Sequence, residues 1–301
     1  MTMLSISPRR RREWMEWLSG YAFLAPSFIV LAVFTYFPVA YALGLSFFKW
    51  RIMSGAPTFF GLGNYQLLFT SDDFWQAIRN TVYFAVGSIP TGMAIALFVA
   101  ILLNRPMRAL PIYRTAYFLP TVTSMVAVSV VWMWIYHPDV GLMNYLLEQF
   151  HLAPIRWLNE PRSAMPALII LGIWRGLGYN IIIYLAGLQN IPEHLYEAAQ
   201  IDGANRWQLF RHVTWPLLTP TSFLILIMAV INSFQAFTEF DVMTQGGPLG
   251  STTVIVYYLY KQAFQQFNMG YGSALAIVLF LIILGLTLIQ TKVLGPRVHY
   301  Q

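Results

Sequence analysis

Residues 192–216 read Pro192-Glu193-His194-Leu195-Tyr196-Glu197-Ala198-Ala199-Gln200-Ile201-Asp202-Gly203-Ala204-Asn205-Arg206-Trp207-Gln208-Leu209-Phe210-Arg211-His212-Val213-Thr214-Trp215-Pro216. Proline fixes φ and a carboxylate suits the positive end of a helix dipole, so Pro192 and Glu193 open a helix. Gly203 supplies the left-handed residue that closes it. Asn205 caps a second short helix, which Pro216 stops. Leu195, Ala198 and Ala199 stand at i, i+3 and i+4 and share one face. Alanine there lets a partner surface come close, while Trp207 and Phe210 offer bulky anchors. This local chemistry suits an amphipathic connector on a lipid surface as well as it suits a protein-docking element.

Long apolar runs flank the stretch. Of the 301 residues, 57% are hydrophobic and 10% charged, where a soluble domain carries about 25% charged residues. The composition therefore points away from an aqueous fold and towards a membrane protein. A bilayer core about 30 Å thick takes roughly 20 mainly apolar residues per helix. Six segments meet that need, at 21–48, 78–103, 113–136, 164–188, 217–238 and 273–294. Their apolar residues are continuous rather than alternating, which selects helices over barrel strands. The chain is thus expected to be all-α, a polytopic membrane protein with six transmembrane helices. An Arg-rich leader (1–20) precedes the first helix and its outer loop (21–77). A five-helix core (78–294) carries the connecting loop 190–216, and a tail (295–301) follows.

Sidedness follows the basic residues. Arg9, Arg10, Arg11, Arg12, Arg105, Arg108, Arg114, Arg206, Arg211, Lys292 and Arg297 fall on one side, and Lys49, Arg51, Arg79, Arg156, Arg162 and Lys261 on the other. The excess places both termini and the 190–216 loop in the cytoplasm. The first apolar stretch is too long for a signal-peptide core and lacks a small-residue cleavage site, so it is expected to be retained. Pro38 and Pro90 predict kinks inside spans, and Gly172-x-x-x-Gly176 a seam for close helix approach.

Several chemistries are excluded or weakened. Cysteine is absent, which removes disulfides, thiolate metal sites and thiol nucleophiles. His137, His151, His194, His212 and His299 are scattered without metal-ligand spacing. None of Lys49, Lys261 and Lys292 follows a glycine, so no Walker lysine is present. The spans hold no acid, base or metal set for hydrolysis. Glu239 and Asp241 reach only the outer end of the fifth span, which weakens ion coupling. The net charge of +6 is accounted for by the basic residues at the membrane, and no nucleic-acid partner is expected.

Glu197-Ala198-Ala199, then Gly203 after three residues, then Val213-x-Trp215-Pro216 after nine more, resembles the EAA loop of binding-protein-dependent ABC importer permeases. Val213 and Trp215 stand where that pattern has isoleucine and leucine. Phe237–Thr252, with Leu119-Pro120 and Tyr257–Phe264, resembles maltose-type sugar permeases. The six-span form is more similar to the glycerol-phosphate and disaccharide branches. The resemblance implies the type I ABC importer permease fold in a bacterial inner membrane. It implies a second six-helix permease, two cytoplasmic ATPase subunits, an extracytoplasmic sugar-binding protein and a sugar substrate as partners, besides membrane lipid. No cofactor is implied in this chain, since ATP and magnesium belong to the ATPase. Glu197, Ala198, Ala199, Asp202, Gly203 and Arg206 are implied to form the surface that couples to that ATPase.

The resemblance places the sugar path on the spans flanking the loop. Arg175 is the basic residue deep in a span and is expected to face the bundle interior or water. Gly176 and Tyr179 adjoin it, while Asn232, Gln235 and Glu239 share a polar face on the fifth span. Amides and aromatic rings suit a sugar's hydroxyls and flat apolar surface. Asn180 is the weaker candidate on this reading. Two other classes compete with a permease half: an ion-coupled secondary sugar carrier, and a structural subunit of another membrane complex.

Overall fold

The computed structural model describes residues 8–104, 110–293 and 295. Residues 1–7 of the predicted leader, Arg105 and Arg108, and all but Gly295 of the predicted tail lie outside them. The fold is all-α apart from a two-stranded hairpin, β1 (Phe48–Lys49) and β2 (Thr58–Phe59), paired antiparallel. The chain opens with α1 (Pro8–Leu31), a π turn over Ala32–Tyr36, and α2 (Phe37–Leu45). In that π turn the Phe37 N–H reaches back to the Ala32 carbonyl. Widening the helix one residue before Pro38 moves the preceding carbonyls away from the pyrrolidine ring, so proline is accommodated without a break.

After the hairpin come α3 (Gly63–Thr70) and α4 (Asp72–Leu103), the latter capped by Ser71 with Asp72 and Asp73 at its positive end. Next are α5 (Leu110–Val122), α6 (Met125–Ile135), α7 (Leu142–Gln149) and α8 (Pro161–Gln189). The cytoplasmic-loop candidates form α9 (Glu193–Ile201), α10 (Arg206–Leu209), a π turn over Phe210–Thr214, and α11 (Trp215–Leu217). The chain then forms α12 (Thr219–Phe234), α13 (Thr238–Met243), α14 (Ile255–Tyr260) and α15 (Met269–Val293).

Five helical runs among the described residues are long and apolar enough to cross a membrane: Trp14–Leu45, Asp72–Leu103, Pro161–Gln189, Thr219–Met243 and Met269–Val293. The third predicted span is not one straight helix. It is broken between α5 and α6 by a bend of 110°. Pro120 lacks the N–H that would bond Ala116, the following Thr121-Val122-Thr123 run is β-branched throughout, and Ser124 leaves helical geometry at ψ 130°. At 1.5 Å per residue α5 and α6 are only about 20 and 16 Å long, so neither crosses alone.

Packing shows that the bent pair is nonetheless one crossing. Phe84 of α4 packs beside Gly172 of α8, and further along Ala100 and Leu103 cluster with Leu185 and Leu188. The two helices therefore run parallel, and a parallel neighbour requires a return stroke between them. The helix ends away from residues 190–216 meet elsewhere. Asn64 donates to the carbonyls of Ser46 (2.8 Å) and Phe48 (2.9 Å), the Gly270 N–H donates to Trp50, and Asn80 holds Gly250 and Thr253. With that end fixed, Pro8 and Val293 fall on the face that carries residues 190–216. The run from Trp14 to Leu45 is left almost wholly uncovered by this chain, with Phe23 and Phe34 more than three-quarters exposed.

Candidate functional site

The loop quoted above folds as two short helices with both joints closed by local bonds. Gly203 has φ +84°, and the Gly203 and Ala204 N–H groups return to the Gln200 and Ala199 carbonyls, closing α9 in a Schellman turn. Asn205 Oδ1 accepts from the Gln208 N–H at 3.0 Å, and Gln208 Oε1 accepts from the Asn205 N–H at 2.8 Å, a complete capping box. The Tyr196 and Thr214 hydroxyls meet at 3.0 Å, tying α9 to the π turn ahead of Pro216. Trp207 stacks on Phe210 at 5.6 Å, and Phe210 leans on Trp215. The inward stripe of α9 is Pro192, Leu195, Tyr196 and Ala199, all half-buried. Ala198 is exposed, so the expected face shared by Leu195, Ala198 and Ala199 is split by the packing. Glu197, Ala198, Asp202, Gly203 and Arg206 all present themselves outward, beside Ile201 and the indole of Trp207.

The second feature is a cavity of about 530 Å³ between α4, α5, α6, α8, α12 and α13. Arg175, Gly176, Tyr179, Asn232, Gln235 and Glu239 all line it. Asn180, which the sequence reading ranked lower, lines it too, because the cavity wraps a wider arc of α8 than one helical stripe. The Asn180, Asn232 and Gln235 amides make no side-chain hydrogen bond among the described residues. Glu239 is buried and lines the same space as Arg175. Arg175 is half-committed to backbone: its Nη1 donates to the Thr123 carbonyl at 3.0 Å and the Pro120 carbonyl at 3.3 Å.

Sequence reasoning missed the lining residues supplied by the broken span and by α4. Thr121 and Met125 stand on the two sides of the break, and Thr121 Oγ1 is buried without a hydrogen-bond partner. Ser88 also lines the cavity, but its hydroxyl is used by the Phe84 carbonyl at 2.6 Å. The glycine seam is real at one end: Gly172 faces Phe84 at 3.0 Å from an added Cβ, whereas Gly176 has nothing within 4 Å and opens onto the cavity. The tightest approach of one helix to another is at Gly178, where a Cβ would collide with the Tyr117 carbonyl oxygen.

A helical bundle with a polar cavity between its spans and a stiff amphipathic hairpin between two cavity-lining helices defines a membrane permease. The family described as binding-protein-dependent transport system inner membrane component matches residues 88–300, and the chain belongs to that family. It is 39% identical to a probable ABC transporter permease protein, YesP, of Bacillus subtilis (strain 168), over 94% of this chain and 93% of the relative. It is 36% identical to the lactose transport system permease protein LacF of Rhizobium radiobacter, over 91% of this chain and 93% of the other. Among solved structures, a bacterial ABC transporter involved in the import of the acidic polysaccharide alginate contains a similar chain. That chain superposes with a TM-score of 0.82 and 26% identity, covering 96% of this chain and 99% of that one. A chain of a bacterial alginate ABC transporter in complex with an alginate pentasaccharide-bound periplasmic protein gives a TM-score of 0.79 at 26% identity, over 94% of both chains. The protein is a permease component of an ABC importer, a multi-pass membrane protein and a transport component rather than an enzyme.

Proposed function

We propose that this chain forms one half of the translocation path of a sugar importer and takes its energy from a separate ATPase seated on residues 193–212. The observation that carries the reading is the cavity itself. Its volume falls in the range of about 300–1,000 Å³ typical of small-molecule sites. Three amides without side-chain partners, the Tyr179 ring, Arg175 and Glu239 line it. Hydroxyl-rich ligands need such amides, and a flat ring face suits a pyranose. Relatives named for lactose and for arabinooligosaccharides support a sugar as cargo. A second permease completes the path, an extracytoplasmic binding protein delivers the sugar, and both termini face the cytoplasm with the hairpin.

Glu197 makes a charged contact with the ATPase, and Gly203 provides the turn between the two short helices that move with it. ATP-driven closure of the ATPase pair would then shift α9 and α10 and rock the attached spans. The test is uptake of labelled lactose or arabinooligosaccharide into vesicles containing the assembled importer, with ATP and no ion gradient. ATP-dependent uptake supports the reading. Uptake that follows an imposed proton or sodium gradient and ignores ATP establishes the secondary-carrier alternative.

A further inference from the structure

We propose that Arg175 is the positioning residue that holds the third span in its broken shape, rather than a group that binds the cargo. A helix interrupted inside a bilayer leaves carbonyls without donors, and non-helical backbone at that depth persists only where protein or a wet cavity satisfies it. At the end of α5 the Leu119 carbonyl is taken by the Thr123 hydroxyl at 2.8 Å. The Pro120 and Thr123 carbonyls are taken by Arg175 Nη1, from a helix more than fifty residues further along the chain. A guanidinium at this position also places positive charge at the negative end of the α5 dipole.

The neighbouring contacts fix the geometry. One turn from Arg175, Gly178 brings α8 so close to α5 that an added Cβ would collide with the Tyr117 carbonyl oxygen and meet Thr121 Oγ1 at 2.8 Å. The cationic clasp and the glycine contact together pin the C-terminal end of α5. The chain can then turn through 110° and place both Thr121 and Met125 on the cavity wall. Among the described residues, Glu239 lines the same cavity but makes no hydrogen bond to the guanidinium, so the clasp on the α5 carbonyls is made by Arg175. This inference concerns the shape of the third span and does not rest on the identity of the transported molecule.

The chain has no cysteine of its own, so Ile112→Cys and Trp134→Cys, both strongly exposed, give sole attachment points for nitroxides in this chain. With about 16 Å of α5 and 15 Å of α6 meeting at a 110° bend, their backbone separation is about 18 Å, against about 33 Å for a straight helix of the same length. The experiment is pulsed electron–electron resonance on the full chain, purified with the subunits that accompany it and held in lipid nanodiscs. Arg175→Gln should move the distance distribution outward by more than about 5 Å or add a long component. Arg175→Lys, which keeps a cationic donor, should restore the parent distribution. An unchanged distance in Arg175→Gln overturns the proposal, as does an equal outward shift in Glu239→Gln. A raised KM for uptake with the distance unmoved would make Arg175 a cargo contact instead.

Discussion

Gly203→Ala isolates one physical quantity in the hairpin proposed to couple to the ATPase. Gly203 sits at φ +84°, and an added Cβ would meet nothing within 4 Å. The substitution therefore introduces no clash, only the left-handed backbone penalty of roughly 1–2 kcal/mol for an L-residue. A cost of that size lowers the ratio of closed to opened turn by about five- to thirty-fold. Asparagine tolerates the left-handed region through its own local hydrogen bonding, so Gly203→Asn should lose less, and the β-branched Gly203→Val should lose most. The assay is sugar moved per ATP hydrolysed in vesicles carrying the assembled importer, with membrane abundance measured alongside. Coupling should fall in the order glycine, asparagine, alanine, valine, while abundance stays level and ATP hydrolysis continues. If alanine couples as well as glycine, or asparagine worse than alanine, the Schellman turn is not what transmits the motion.

Glu197→Ala should also uncouple uptake from hydrolysis without lowering membrane insertion, since Glu197 is exposed and supports no packing; normal uptake per ATP would remove it from the docking surface. Tyr179→Ala with Asn232→Ala should reduce sugar uptake at least tenfold while leaving ATPase activity measurable, because both residues line the cavity and neither holds the fold; undiminished uptake would move the path elsewhere. Gly178→Ala should lower the melting temperature of the detergent-solubilised protein, since overpacking against a backbone carbonyl costs about 1–3 kcal/mol. Gly176→Ala, with open space at its Cβ, should melt like the parent, and equal losses in both would refute the close contact at Gly178.

The parts of this molecule legible in its sequence are those set by near neighbours. Caps and turns depend on a few adjacent residues, so Gly203 and Asn205 announce the hairpin, and the Asn205–Gln208 box forms within a single turn. Pro216, expected to stop the second helix, instead lies in continuous helical backbone because the π turn before it makes room for the ring. Span positions were equally legible, because length and apolar continuity are local properties. What escaped depends on distant partners. Kinks are expected from sequence at Pro38 and Pro90 and not at Pro120, because a 110° break there needs its exposed carbonyls satisfied, and the donor that satisfies them is Arg175 on another span. The inward face of α9 could not be read from spacing alone, since the bond between Tyr196 and Thr214 decides which alanine turns outward. Asn180 was discounted on a single-stripe picture of α8, whereas a cavity walled by six helices draws on a broader arc of each.

The same layout explains why a hairpin at the membrane surface can act on a cavity deep within it. α8 carries Arg175, Gly176, Tyr179 and Asn180 and runs without interruption to Gln189, with three residues between it and the start of α9. From Tyr179 to that end is about 15 Å of unbroken helix, a rigid lever rather than a linker. On the other side, the π turn at Phe210–Thr214 passes into α11 and α12, which carries Asn232. The wide turn lets Pro216 sit in continuous helical backbone, so the second arm is stiff as well. Buried contacts of Leu218 and Ile225 with Ile181, Leu185 and Leu188 bind the two arms together near the hairpin. On the proposed coupling, a displacement applied to α9 and α10 moves both arms together, and the compliance is left to the far wall. That wall includes the broken third span, so the clasp at Arg175 marks the boundary between the part of the cavity that is driven and the part that yields.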